Sequence, residues 1–255
     1  VNIIEPEGGV IEVLLESLQA DAPVRQVLVG SFWTAVALDA DPPRCGLAST
    51  LRGETHDAGP PVSEAGGLLE RSGRELAGWL RSSSTLEASI GMAAFNALLE
   101  VDEADCLEVN AAQVILERGA GRRVAIVGHF PFVERVRRAA AECWVVELHP
   151  RPGDLPAGRA PEVLSQADVV ALTGTSLINH TFDDLIGLCR REAFIILLGG
   201  SAPLSPVLFD YGVDAVAGTL VVDVPAALRT VGQGATFPQI QGKRLLAMMR
   251  EKRDN

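Results

Sequence analysis

No apolar run in this chain of 255 residues approaches the roughly 20 residues that a bilayer-spanning helix needs, and the longest, such as residues 193–198, are far shorter. No membrane partner is expected. Cysteine is scarce: Cys45, Cys106, Cys143 and Cys189 stand far apart with no CxxC pair, which fits a reduced, cytoplasmic protein better than a disulfide framework. Residues 1–9 contain neither a basic leader nor a cleavable apolar core, so export is not expected. Basic residues are outnumbered, with 22 Lys and Arg against 33 Asp and Glu and a formal net charge of -11. Such a chain repels polyanions, so no nucleic-acid partner is expected, and the local cluster Arg135, Arg137 and Arg138 reads as a solvated helix face.

The usual nucleotide and hydrolase signatures are also missing. Where a dinucleotide fold would carry GxGxxG after its first strand, this chain has Gly128-His129-Phe130-Pro131, so NAD is not an expected cofactor. No GxxxxGK[ST] loop and no GxSxG elbow occurs, although Ser176 and Ser201 both fall near the expected crevice, with histidines about.

What is present is an alternation of short apolar runs with helical stretches. Residues 124–128, 144–148, 168–172, 194–198 and 215–222 are apolar nearly throughout. Strands buried on both faces read this way, as in a parallel sheet covered by helices. Helices are expected at 131–141, 161–167, 183–191, 205–211 and 225–231, placed by Pro near their starts and Gly at several of their ends. The fold class is therefore α/β, a doubly wound parallel sheet. Ahead of it the order changes: a helix at 11–18, two or three short strands within 24–38 and 45–51, a loop at 56–67, and helices at 67–80, 86–99 and 107–118. This reads as a smaller α+β unit, giving domains 1–105 and 106–255.

In open α/β sheets ligands bind beyond the carboxyl ends of the strands. At those ends the chain places Gly128-His129, Glu147-Leu148-His149, the stretch Thr173-Gly174-Thr175-Ser176-Leu177-Ile178-Asn179-His180-Thr181, and Gly199-Gly200-Ser201. Thr173, Thr175, Asn179, Ser201 and His129 would supply polar contacts. Gly174, Gly199 and Gly200 would let backbone amides approach a ligand, though turn geometry alone accounts for any single glycine.

His129, His149 and His180 share one edge, and each is also readable as a structural histidine. Glu147, Asp154, Asp183 and Asp184 are near enough in sequence to orient an imidazole or complete a metal shell, the last two equally to charge a helix start. His129 and His149 are the candidate ligands of a transition metal, at a spacing that matches no standard metal motif. Cys45 reads as a small buried hydrophobe or a cleft thiol. Ser31 and Thr34 in Gly30-Ser31-Phe32-Trp33-Thr34, and Asn96, are further polar candidates from the first unit.

Gly128-His129-Phe130-Pro131, Leu164-Ser165-Gln166-Ala167-Asp168, Thr173 through Thr181, Gly199-Gly200-Ser201-Ala202-Pro203 and Gly212-Val213-Asp214 together resemble a family named for heavy-metal chelation. The resemblance implies a Rossmann-like second domain without the dinucleotide fingerprint, an enolase N-terminal-like first domain, and a site in the cleft between them. The chain departs from the family pattern in having Gly200 where Pro is usual and His180 where Gly is usual. The expected function is binding of a small anionic or metal-complexed metabolite, linked to heavy-metal chelation or metal homeostasis. The alternative is an enzyme acting on such a metabolite with His129 or His149 as general acid/base. A homodimer would suit a chain of this length.

Overall fold

The computed structural model describes residues 9–53 and 60–250. The first part of the expected loop at 56–67 lies outside the described residues, and 60–67 carries no helix or strand. In chain order the strands are β1 (Val24–Val29), β2 (Trp33–Leu38), β3 (Arg44–Ser49), β4 (Cys106–Leu107), β5 (Arg123–Val127), β6 (Glu142–Glu147), β7 (Leu155–Pro156), β8 (Val169–Thr173), β9 (Phe194–Leu198), β10 (Ala215–Val221) and β11 (Lys243–Met249). The helices are α1 (Val10–Ser17), α2 (Gly73–Ala77), α3 (Thr85–Leu98), α4 (Ala111–Gly119), α5 (Val133–Ala139), α6 (Ala160–Leu164), α7 (Thr175–Ile178), α8 (Phe182–Gly187), α9 (Val207–Asp210) and α10 (Val224–Gly232).

Two sheets result. The larger has eight strands in the order β4-β11-β10-β9-β8-β5-β6-β7. From β10 to β7 every neighbouring pair is parallel. The strand order reverses between β5 and β8, which is the switch point where a doubly wound sheet opens a crevice. The sheet is mixed at its other side: β11 runs antiparallel to β10, and β4 antiparallel to β11.

Apolar side chains on both faces explain why β5, β8 and β9 are continuous hydrophobic runs. Ala125, Val170 and Leu197 face one core cluster and Val124, Ile126, Val169, Ala171 and Ile196 the other.

The smaller sheet is an antiparallel meander, β1-β2-β3. Helix α3 packs on one of its faces and α10 on the other. The approach of α3 is close enough that a Cβ on Gly46 would lie 2.1 Å from the carbonyl oxygen of Ala93, so β3 requires glycine there.

Several elements differ from expectation. The helix expected at 107–118 begins at Ala111, because Asn110 accepts the amide of Ala112 as an N-cap (2.9 Å) while Cys106 and Leu107 pair as strand. The stretch at 67–80 is one short α-helix between two 3-10 turns, Leu68–Glu70 and Gly78–Arg81. A capping box on Ser72 and Glu75 starts that helix afresh. Strand β11 was not anticipated at all. Among the described residues no helix is long and apolar enough to cross a membrane.

Candidate functional site

A cavity of about 790 Å³ opens beyond the carboxyl ends of β5, β6, β8 and β9. The end residues Val127, Glu147, Thr173 and Leu198 all line it, as do Ala217, Gly218 and Thr219 of β10. The smaller sheet closes the opposite side with Trp33 and Ser49, and residues 108–112 and 237–238 complete the rim.

The cavity collects His129, Thr173, Gly174, Thr175, Asn179, Gly199, Gly200 and Ser201 from three separate stretches. His149 is exposed on the turn after β6 and is not part of the lining. His180 is likewise exposed; it adopts a positive φ of 59° and its Nε2 pairs with the carbonyl of Leu80 at 2.8 Å. It links the turn after β8 to the first unit and does not face the ligand space. Asn96 donates to the carbonyl of Leu47 and Thr34 pairs with Thr50, so neither belongs to the cavity.

His129 is the most constrained of these groups. Its backbone N–H donates to Glu147 Oε1 (2.8 Å), while the other oxygen of that carboxylate accepts the amide of Leu148 (3.0 Å). Its ring Nδ1 lies 2.9 Å from Asp154 Oδ2. The Asp154 side chain is fully buried, and it also accepts from the Arg151 amide (3.2 Å) and the Arg137 guanidinium (3.1 Å). Burial alone would push the Asp154 carboxyl up, but the bonds from His129, the Arg151 amide and Arg137 outweigh it and hold the group below its ordinary value.

An ionised Asp154 keeps the proton on Nδ1 and leaves Nε2 as the unprotonated nitrogen of the neutral ring. Nε2 has no hydrogen-bond partner among the described residues. Arg137, read from sequence as part of a solvated face, is thus partly a structural clamp.

The stretch after β8 is organised differently. Thr173 and Thr175 pair through their hydroxyls (2.9 Å), Thr173 Oγ1 also accepts the Thr175 amide (3.3 Å), and Ser176 donates to the carbonyl of Thr173 (2.8 Å). The Asn179 amide, oriented with its nitrogen toward the surrounding acceptors, donates to the carbonyls of Thr175 (3.2 Å) and Ser176 (3.1 Å) and to Thr181 Oγ1 (2.8 Å). These bonds close the C-terminus of α7 on itself. The two threonine hydroxyls retain one uncommitted proton between them, the second being used in their mutual bond.

Ser201 is committed to the other unit: its Oγ accepts the Ser49 amide (2.8 Å) and donates to Ser49 Oγ (3.2 Å). Two of the glycines are packing requirements. A Cβ on Gly174 would meet the Ala202 amide nitrogen at 2.5 Å, and one on Gly200 would meet the Trp33 and Phe237 rings at 2.6 Å each. Gly128 and Gly199 have positive φ, 101° and 117°, which glycine adopts without strain.

Sequence reasoning missed the aromatic walls. Trp33 sits inside a stretch from which only the polar neighbours Ser31 and Thr34 were drawn, and Ser31 is exposed and outside the lining. Phe237 stands 4.9 Å from Trp33 between ring centroids, and Phe130 stacks on Phe132 at 5.1 Å. Thr219 also lines the cavity, and its Oγ1 is buried without a hydrogen-bond partner.

A bound heavy-metal ion requires several His, thiolate or carboxylate groups converging on one point. Among the described residues no group of three or more His, Cys, Asp or Glu stands so placed. Burial pushes the thiols of Cys45 and Cys189 up to about 12 and that of Cys143 up to about 11, which disfavours the thiolates a soft metal needs. The residues present do not fit a bare ion held by side chains alone.

Comparison with known proteins places the chain. Residues 110–250 match one family model and residues 11–99 another, both described as "Putative heavy-metal chelation". An uncharacterized protein of Methanocaldococcus jannaschii is 29% identical over 154 residues, 58% of this chain, and the match spans 60% of that relative's length. Two crystal structures of DUF364-family proteins with unknown function share the fold at a TM-score of 0.80, each over 94% of this chain and 98% of the other. One is from Desulfitobacterium hafniense (23% identical) and one from Pyrococcus horikoshii (19%). The chain belongs to this heavy-metal chelation family.

Proposed function

For this family member we propose binding of a small organic metabolite, free or as a metal complex that brings its own donor atoms, in the cavity at the β5/β8 switch point. In this reading the chain divides into units 1–105 and 106–255 that close on the ligand. The observation that carries it is His129: the residue lines a cavity of about 790 Å³, and its ring is fixed by Asp154 at Nδ1, which leaves Nε2 to act as acceptor; the volume suits a molecule of drug size. The uncommitted hydroxyl proton of the Thr173 and Thr175 pair offers a donor. A complex with its own donors reconciles the family description with the absence of a side-chain metal cluster among the described residues. Four unpaired thiols support a reducing, cytoplasmic setting.

The test is mass spectrometry of small molecules released by denaturing the purified, untagged protein, with metal analysis of the same sample. A stoichiometric organic species, much reduced in His129→Ala, is the expected result. A bare metal ion at stoichiometry with no organic companion, or release unchanged by the substitution, would overturn the reading.

The Asp154 and His129 pair favours one second reading, an enzyme in which Nε2 exchanges a proton with the bound metabolite. Asp154 would then stabilise the imidazolium that forms. His129→Gln separates the two: an enzyme loses turnover of the identified metabolite while still binding it, and a pure binder shows no turnover in either form.

A further inference from the structure

From the walls of the cavity we propose that its ligand presents a flat conjugated face and carries no strong negative charge. The inference rests on the binding reading above and narrows its ligand class. The chain has eight Phe, three Trp and one Tyr, yet four of those rings, Trp33, Phe130, Phe132 and Phe237, line this one cavity. All four are only half-buried, so part of each ring surface stays accessible, although Phe237 also carries the Lys243 ammonium 5.0 Å from its centroid. They form two pairs, Trp33 with Phe237 and Phe130 with Phe132. Ring faces that stop short of a closed core attract other π systems by stacking.

Charge argues in the same direction. Among the described residues that line the cavity there is no Lys and no Arg, and the ionisable side chains are Glu108, His129 and Glu147. Glu147 accepts one backbone amide on each oxygen and Glu108 is paired with Arg244. The cations beside the lining are spent on the protein, Arg244 on Glu108 and Glu103 and Lys243 on the Ile240 carbonyl and the Phe237 ring, so a phosphate or polycarboxylate would meet carboxylates with no free cation among the described lining residues.

The glycine-rich loop after β9 does not replace the missing cation. The amides of Gly199 and of Gly174 after β8 donate to the carbonyls of Ala217 (3.0 Å) and Leu198 (2.8 Å), so neither is free to cradle an anion, and the space in front of Gly200 is filled by the Trp33 and Phe237 rings. The anionic metabolite expected from the sequence gives way to a neutral or cationic flat one. Its N–H or O–H would donate to His129 Nε2, whose Nδ1 is already held by Asp154.

Calorimetric titration of the full chain with four probes tests this. Acridone is flat, neutral and bears an N–H; 9-aminoacridine is a flat cation; naphthalene-1,5-disulfonate is a flat dianion; citrate is a non-planar trianion. The two acridines should bind at least about tenfold tighter than either anion. Trp33→Leu and Phe237→Leu, each checked for normal folding by thermal melting, should each weaken acridone about three- to tenfold, the range expected for loss of one stacked ring. Tighter binding of citrate or the disulfonate, acridone affinity unchanged in both folded variants, or binding of none of the four, overturns the inference. Failure of the broader binding reading would show separately, as small-molecule release indifferent to His129→Ala.

Discussion

Two loops leave the same sheet edge on either side of its switch point, and they spend their polar groups in opposite ways. After β5, the structure commits every hydrogen-bonding atom around His129 except one: Glu147 takes the backbone amide, Asp154 takes Nδ1, Arg137 holds Asp154, and Nε2 remains. After β8, a stretch much richer in hydroxyls and amides spends nearly all of them on itself, with Thr173 on Thr175, Ser176 on Thr173, and Asn179 on the end of α7. Density of polar residues at a ligand-binding edge is therefore a poor guide to contact with a ligand. The better guide is the balance left after internal partners are counted, because buried polar groups without partners are costly.

The sharpest way to break this comparison is at Asp154. Removing its buried carboxylate takes one partner from the Arg137 guanidinium, which keeps Glu134 and the Gly153 carbonyl, and frees the His129 ring to rotate. Asp154→Ala should cost about 3 kcal/mol of stability, at the low end for breaking a buried charged pair because both partners keep some solvent access. It should also lower the yield of released metabolite nearly as much as His129→Ala. Urea unfolding together with the release measurement checks both. A variant as stable as the parent would mean that Asp154 is not the anchor of the loop.

Asn179→Ala should behave in the opposite sense. It removes the donors that close α7, at an expected cost of about 1 to 2 kcal/mol, and it should leave metabolite release within about twofold of the parent, because the amide serves its own turn. A large loss of release with unchanged stability would reverse the assignment and make Asn179 a ligand contact.

Acid sharpens the contrast further. Asp154 is held below the ordinary carboxylate value, so the stability it contributes is fully present above the unfolded-state pKa of about 4 and is lost as pH falls through the lower folded-state value. Asp168, held well below the usual range by hydrogen bonds from the Arg123 side chain and amide, adds a loss of the same sign that both variants retain. Below about pH 4 the parent should therefore lose more stability than Asp154→Asn. The Asn179→Ala deficit should stay flat, since that turn bonds through hydroxyls and amides. Unfolding midpoints between pH 3 and 7 measure this, and parallel pH profiles for parent and Asp154→Asn would contradict it.

How much of this was legible in the sequence follows from which interactions are local. Strands β5, β8, β9 and β10 announced themselves because burial on two faces forces continuous apolar runs. β11 did not, because Lys243, Arg244 and Leu245 at its start are not buried and its pairing with β10 is antiparallel. Helix α7 is four residues long, too short to show a period, so its stretch read as loop. The glycines and polar residues of the cavity were visible at strand ends, whereas their division into free and self-satisfied groups is tertiary. Asp154 is 25 positions from His129, and only the fold turns that proximity in sequence into a bond. Trp33 and Phe237 reach the cavity from units that sequence reasoning treated separately, and the polar neighbours of Trp33 drew the attention that the ring should have had.

The smallest expected effect concerns the thiols and bears on what chelation means in this family. With Cys45 and Cys189 pushed up to about 12 and Cys143 to about 11, these side chains are almost entirely protonated at neutral pH. None of the four cysteines lines the cavity. Exchanging Cys106, Cys143 and Cys189 for Ser, and the buried Cys45 for Ala, should leave metabolite release and the metal content of the purified protein unchanged, and each single exchange should shift stability by about 1 kcal/mol or less. Elemental analysis of the quadruple variant beside the parent is the measurement. A metal lost with the thiols would restore a thiolate site, and would move the chemistry of this protein away from the aromatic cavity to the cysteines.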